Sequence, residues 1–213
     1  MDKVGHGQGR TGRTPKVLRI LQIAPAIAVA LALATPAVAG DLYRIQPGST
    51  VIAFAVDTMG MFETTGRFDA FEGNLLLDLK EPDRSRVEVR VDTTSVATDS
   101  SYVGDRLRSA DYFDVSNFPQ MKFRAVQVSP LGGDRVSITG DLTIRDVTRP
   151  QTLVASLTDR RFDPEIGAEV ANFTVTGKVD RAAFGMTADQ GMVSDEVDLS
   201  INAHIRLVPP AVR

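Results

Sequence analysis

Few residues in this 213-residue chain could activate a nucleophile or hold a soft metal. It has two histidines, no cysteine and no tryptophan. His6 lies in an N-terminal segment read below as a leader. His204 falls in the set Asp198, Ser200, Asn202, His204, Arg206, which takes every second position of a stretch whose other members are apolar. A strand puts such a set on one face. His204 is therefore read as facing solvent, not as the base of a Ser-His-Asp arrangement. Zinc or iron would lack its usual Cys and His ligands. Asp195, Glu196 and Asp198 could hold a hard cation only weakly, because neighbours along a strand point to opposite faces. No glycine-rich phosphate loop leads into a helix. Arg106 and Arg108 could meet a phosphate or carboxylate, or could pair with Asp105 or Asp111 in their own segment. No catalytic constellation emerges, and the chain is read as a non-enzyme needing neither metal nor cofactor.

Those arginines sit in the one stretch that does not read as strand, Asp99 to Phe123. Asp99 or Ser100 can cap a short helix, and Val103 and Leu107 would share one face of it at i, i+4. Ser109 and Asp111 mark a second cap or turn and place Tyr112 beside Phe113. Phe118 precedes Pro119 and should be extended. This aromatic-rich insert separates two runs of strands. It is either a connection packing its aromatics on the sheet or a lid over a cavity mouth.

Basic residues, an apolar run from Ile23 to Ala34 and the small-x-small triplet Ala37-Val38-Ala39 follow the order of a cleaved secretory signal. The run is shorter than the ~20 residues of a membrane span. Residues 1–39 are read as the signal peptide and 40–213 as one secreted domain. The leader carries five basic residues and one acidic one, leaving 19 basic against 26 acidic, a net of −7. That balance argues against nucleic acid and against an anionic membrane surface. About 170 residues suffice for a sizeable single core.

Alternation dominates the mature chain. Strands are expected at Leu42–Ile45, Thr50–Val56 and Phe71–Leu79, with a short piece at Gly66–Phe68. Val87, Val89 and Val91 against Glu88, Arg90 and Asp92 form the cleanest half-buried pattern. After the insert come Met121–Val128, a Gly132-Gly133-Asp134 hairpin turn, then strands carrying Val136 to Ile144, Leu153 to Leu157, Phe173 to Val179 and Val197 to Ile205. About eight strands, hairpin-connected and without alternating helices, make an all-β antiparallel barrel or sandwich. Gly73, Gly140 and Gly177 fall on the apolar face. There a glycine marks a bend or leaves space for something else, and three of them favour a curved, closed sheet.

Several motifs match a known family. They are Tyr43-Arg44-Ile45 with Ser49-Thr50-Val51; Gly66-Arg67-Phe68 with Phe71-Glu72-Gly73; and Leu107-Arg108-Ser109-Ala110-Asp111-Tyr112-Phe113-Asp114 with Phe118-Pro119. Gly140-Asp141-Leu142-Thr143-Ile144, Val147-Thr148-Arg149-Pro150, Arg181 with Phe184-Gly185-Met186, and Val193 to Val197 complete the set. On these residues the chain resembles the YceI-like proteins, lipocalin-like periplasmic barrels associated with polyisoprenoid binding. The resemblance implies an eight-stranded antiparallel barrel with a short helical insert and an amphipathic isoprenoid lipid, polyisoprenoid or quinone-like, in its lumen. Two family histidines are replaced, by Asp57-Thr58 and by Arg106.

The lumen residues expected are Ile52, Phe54, Val56, Phe68, Leu75, Leu77, Val89, Val91, Phe123, Ile138, Leu142, Phe173, Val175 and Ile201. Arg106, Arg108, Tyr112 and Phe113 are the candidate lid or head-group contacts. The rival expectation is a filled-core interaction module that docks on a membrane cytochrome or another envelope partner. A homodimer is compatible with either.

Overall fold

The computed structural model describes residues 40–209. The leader and its cleavage position after Ala39 fall outside the described residues. Within them the elements are β1 (Asp41–Ile45), β2 (Val51–Thr58), β3 (Phe62–Phe68), β4 (Phe71–Leu77), β5 (Arg86–Asp92), β6 (Val96–Thr98), α1 (Ser101–Arg108), β7 (Gln120–Gly132), β8 (Arg135–Ile144), β9 (Val147–Asp163), β10 (Ala168–Asp180) and β11 (Val193–Leu207).

One edge of β11 pairs with β10. Its other edge pairs first with β2, up to Asn202, and then with β1, from Ile205. β1 and β2 are therefore two segments of one wall strand. The same split recurs in β3/β4 and β5/β6, since β4 pairs β1 and β5 while β3 pairs β2 and β6. Counted this way, eight antiparallel strands close a barrel, with β7 to β11 as unbroken members. Closure leaves no free edge along most of the wall, which removes a template for aggregation.

The splits lie side by side and are bonded to one another. Asp92 N–H donates to the Ala70 carbonyl at 2.9 Å, and Ala70 N–H donates to Ser95 Oγ at 3.0 Å. At the β1/β2 break, Thr50 Oγ1 donates to the His204 carbonyl and accepts from the His204 N–H. Backbone groups freed by the bends are satisfied in this way, as burial requires.

Below the bend, β6 stays with β3, while on that side β7 pairs with β5 and not with β6. The wedge between them is filled by α1 and the turns that follow. Ser100 is the cap, its Oγ accepting from Val103 N–H at 3.4 Å. Thr93 ties the far side down, N–H to the Pro119 carbonyl and Oγ1 to the Phe118 carbonyl.

Several sequence expectations shift. β2 runs on past Val56 to Thr58, and β3 begins at Phe62, before the short piece expected at Gly66–Phe68. β9 extends over 17 residues. The inward glycines leave their space to neighbouring side chains and not to open lumen. A Cβ on Gly140 would lie 2.5 Å from the Arg124 carbonyl oxygen and 2.7 Å from the tip of the Phe123 ring. At Gly73 and Gly177 it would meet Ile45 and Leu153 at 2.4 Å. Each glycine is covered by a large side chain from the paired strand, so a larger residue at 140 has backbone in its way and no open lumen to fill.

Candidate ligand-binding site

Inward positions of all eight wall strands enclose two chambers. The upper one, about 280 Å³, spans from the β1/β2 break to the β4–β5 loop and the β7–β8 turn. The lower one, about 270 Å³, lies under α1 and the β10–β11 loop. Met121, Leu142 and Leu199 border both and form the waist between them. Alternation explains the lining: each wall strand sends every second residue inward.

Of the fourteen residues read as lumen from sequence, Ile52, Leu75, Leu77, Val89, Val91, Phe123, Ile138, Phe173, Val175 and Ile201 line the upper chamber. Phe54, Val56 and Phe68 line the lower one, and Leu142 lines both. Arg106, Tyr112 and Phe113 also border the lower chamber. Arg108 does not. Its guanidinium turns back to the Val96 carbonyl at 2.7 Å and to Asp105 at 2.8 Å, which is the structural pairing weighed from sequence.

Top closure comes from Tyr43. Its side chain is fully buried among Leu75, Ala171 and Ile205, and its hydroxyl donates to Glu169, which also accepts from Arg160. Burial, then the hydrogen bond to Glu169, pushes the Tyr43 phenol well above its usual range. The Arg160 hydrogen bonds, aided by Tyr43, hold Glu169 below the usual carboxylate range.

The insert is packed into the barrel. Phe113 meets the Phe68 ring edge-on at 5.6 Å between centroids and contacts both the Ile52–Val96 and the Ile144–Met186 clusters. Val103 and Leu107 border the lower chamber together, as their spacing implies.

Beside them a cluster of charged side chains, Arg106, Arg181 and Asp189, borders the lower chamber. Asp189, at φ 56°, accepts from the Tyr112 hydroxyl at 2.8 Å and from Arg106 through Nε at 3.0 Å and Nη2 at 2.9 Å. The Tyr112 hydrogen bond and then the Arg106 pair hold the Asp189 carboxyl below its usual range. Burial, followed by the bond to Asp189, raises the Tyr112 phenol. Guanidiniums of Arg106 and Arg181 stand over the Tyr112 ring at 5.7 and 5.9 Å.

Arg181 is only 4% exposed. It donates to the carbonyls of Met186, Ala188, Val193 and Ser194 at 2.6–2.9 Å and so shapes the loop that presents Asp189. Asp195 lies 3.1 Å from it as a counter-charge.

Asp189 and the waist residues Met121 and Leu199 were not singled out from sequence. A lone aspartate in a Gly-Met loop carries no periodic signal. Met121 and Leu199 do sit on inward alternations and were within reach of it. Among the described residues, no group of three or more His, Cys, Asp or Glu converges to hold a metal.

The same architecture occurs in solved barrels. BcnA of Burkholderia cenocepacia superposes with a TM-score of 0.69 at 20% identity, covering 75% of this chain and 98% of that one. The YceI protein of Campylobacter jejuni matches at 0.63 and 22%, covering 68% and 85%. A polyisoprenoid-binding domain from Saccharophagus degradans matches at 0.56 and 15%, covering 78% and 98%. In sequence, Protein YceI of Escherichia coli O157:H7 is 36% identical over 167 residues, 78% of this chain and 86% of the relative. The model of the YceI-like domain matches residues 43–205, so the whole closed wall from Tyr43 to Ile205 falls within it, and the chain belongs to the YceI-like family.

Proposed function

We propose that this barrel is a periplasmic carrier that holds an isoprenoid-type amphipathic lipid, polyisoprenoid or quinone-like, in its lumen and acts by binding, without catalysis. The observation that carries it is the pair of apolar chambers that share Met121, Leu142 and Leu199 as a common border. A folded relative named as a polyisoprenoid-binding domain supports the ligand class. Burying ~400 Å² of prenyl chain at ~25 cal/mol/Å² yields about 10 kcal/mol before ordering and association costs. Micromolar affinity then needs no special polar contact.

Export rests on the Ala37-Val38-Ala39 triplet, and the intact mass of protein from the periplasmic fraction tests cleavage after Ala39. For the ligand, the test is mass spectrometry of an organic extract of the purified native protein, followed by uptake of a fluorescent prenyl analogue after delipidation. A co-purifying prenyl lipid and saturable uptake are expected. An extract without lipid and a delipidated protein that takes up no analogue would refute the carrier.

One observation favours a second reading, docking on an envelope partner. The β2–β3 tip and the neighbouring loop expose Met59, Met61, Phe62 and Met192, and Met59 N–H bonds to the Met192 carbonyl. Exposed apolar groups at one place mark an interaction surface. A Met61→Ser/Phe62→Ser double variant that keeps lipid uptake but no longer co-purifies with membrane components would support it.

A further inference from the structure

The lower chamber ends in charged side chains, yet none offers an uncompensated positive charge. Arg106 is forked onto Asp189 and lies 3.5 Å from Asp111. Arg181 spends its donors on four carbonyls and lies 3.1 Å from Asp195. Two guanidiniums thus face three carboxylates. The Tyr112 hydroxyl already donates its one hydrogen bond to Asp189. An incoming phosphate, carrying about −1.5 to −2 charges, would have to displace Asp189 from Arg106 or sit beside its carboxylate. Either loses a charge-assisted fork or adds like-charge repulsion.

A neutral oxygen meets a different surface. Thr58 Oγ1 and Thr64 Oγ1, both lining this chamber, are 3.1 Å apart. A hydroxyl pair uses one proton internally and keeps the other to donate. The Tyr112 oxygen still has acceptor capacity.

We propose that the lower chamber selects an uncharged polar end group, a prenyl alcohol or quinone-type carbonyl, and rejects prenyl phosphates, because Asp189 neutralises the one guanidinium a phosphate could use, that of Arg106. This specificity rests on the lipid-carrier reading above.

The test is equilibrium binding of geranylgeraniol and of geranylgeranyl monophosphate, each below its micellar range at neutral pH, to the delipidated protein and to Asp189→Asn. Asparagine tolerates the positive φ at this position and keeps an acceptor for Tyr112, while Arg106 loses the carboxylate it is forked onto and keeps only Asp111 at 3.5 Å. Wild type should bind the alcohol about tenfold or more tighter than the phosphate. In Asp189→Asn the ratio should move toward the phosphate by about tenfold or more. Thr64→Val, near in volume but without a hydroxyl, should weaken the alcohol about fivefold without improving the phosphate, and it stands as the second variant if Asp189→Asn does not fold. Equal binding, or a phosphate preference, in wild type overturns the specificity and leaves the carrier reading intact. An unshifted ratio in a folded Asp189→Asn, or unchanged alcohol affinity in Thr64→Val, also overturns it. Binding of neither lipid to wild type overturns the carrier and the specificity together.

Discussion

Arg181 is an ionised side chain held almost out of water, so its donors must all be met or the fold loses free energy. Four carbonyls accept its hydrogen bonds, and Asp195 stands 3.1 Å away as a counter-charge. Arg181→Met fits the volume but strands those carbonyls and the carboxylate. The expected loss is about 3–5 kcal/mol, read as a lower urea midpoint at unchanged slope. Arg181→Lys should not restore the midpoint, because an ammonium cannot reproduce a planar fork reaching four acceptors. A wild-type midpoint for either variant would show that the loop is held by something else. At this scale the sequence was legible where a pattern repeats and silent where a contact is unique. The lumen positions Val89, Leu142 and Ile201 follow from period-two alternation. The main partner of Arg106 does not: Asp111, a near candidate, does lie 3.5 Å away, but the fork goes to Asp189, which lies 83 positions away and is brought in by loop geometry.

Among the elements, β5 and β11 were readable because each buries one face and wets the other. β3 was read only at its C-terminal end, Gly66–Phe68, since Thr64 occupies an inward position where an apolar residue would have signalled a longer strand. β6 is too short for any period to register, and it exists because Val96 is held in the Ile52–Phe68–Val91 cluster. Whether the 99–119 insert is wall or lid could not be read from local sequence, because both need an amphipathic helix and aromatics. The packing of Phe113 against Phe68 and its buried cluster favours wall. Phe113→Ala should therefore destabilise by about 3 kcal/mol, the lower end of the range for a buried aromatic, since the ring is only half-buried. A mobile lid would instead leave the denaturation midpoint near wild type and speed ligand release. A variant with neither effect would sink both views of the insert.

Across the molecule, titration and lumen length set the remaining behaviour. Glu169 and Asp189 have depressed carboxyls, so their stabilisation is present above the usual carboxylate range and is lost as pH falls through their lowered values. Tyr43 and Tyr112 have raised phenols, so their contribution is intact below about pH 10 and is lost as pH rises beyond it. Stability should be flat between these limits and fall at both ends. Tyr43→Phe should flatten the alkaline limb in thermal melts, and an unchanged alkaline limb would mean that the top closure does not titrate.

Between the ends, each chamber falls at or below the ~300–1,000 Å³ typical of ligand sites, while the two joined fall within it. A long prenyl chain therefore has to thread the waist, and a short one does not. Met121→Trp enlarges a side chain that borders both chambers. It should weaken binding of a long polyprenol by about tenfold or more while a two-unit prenol such as geraniol binds as in wild type. Overpacking adds about 1–3 kcal/mol of destabilisation, so the comparison is made between chain lengths in the same variant. Because the chain has no other tryptophan, emission from position 121 reports waist occupancy directly. A long chain should desolvate the indole and shift its emission, and geraniol lodged in one chamber should shift it less. Equal loss for both chain lengths, or no loss for either, would refute a continuous two-chamber path and leave two separate cavities.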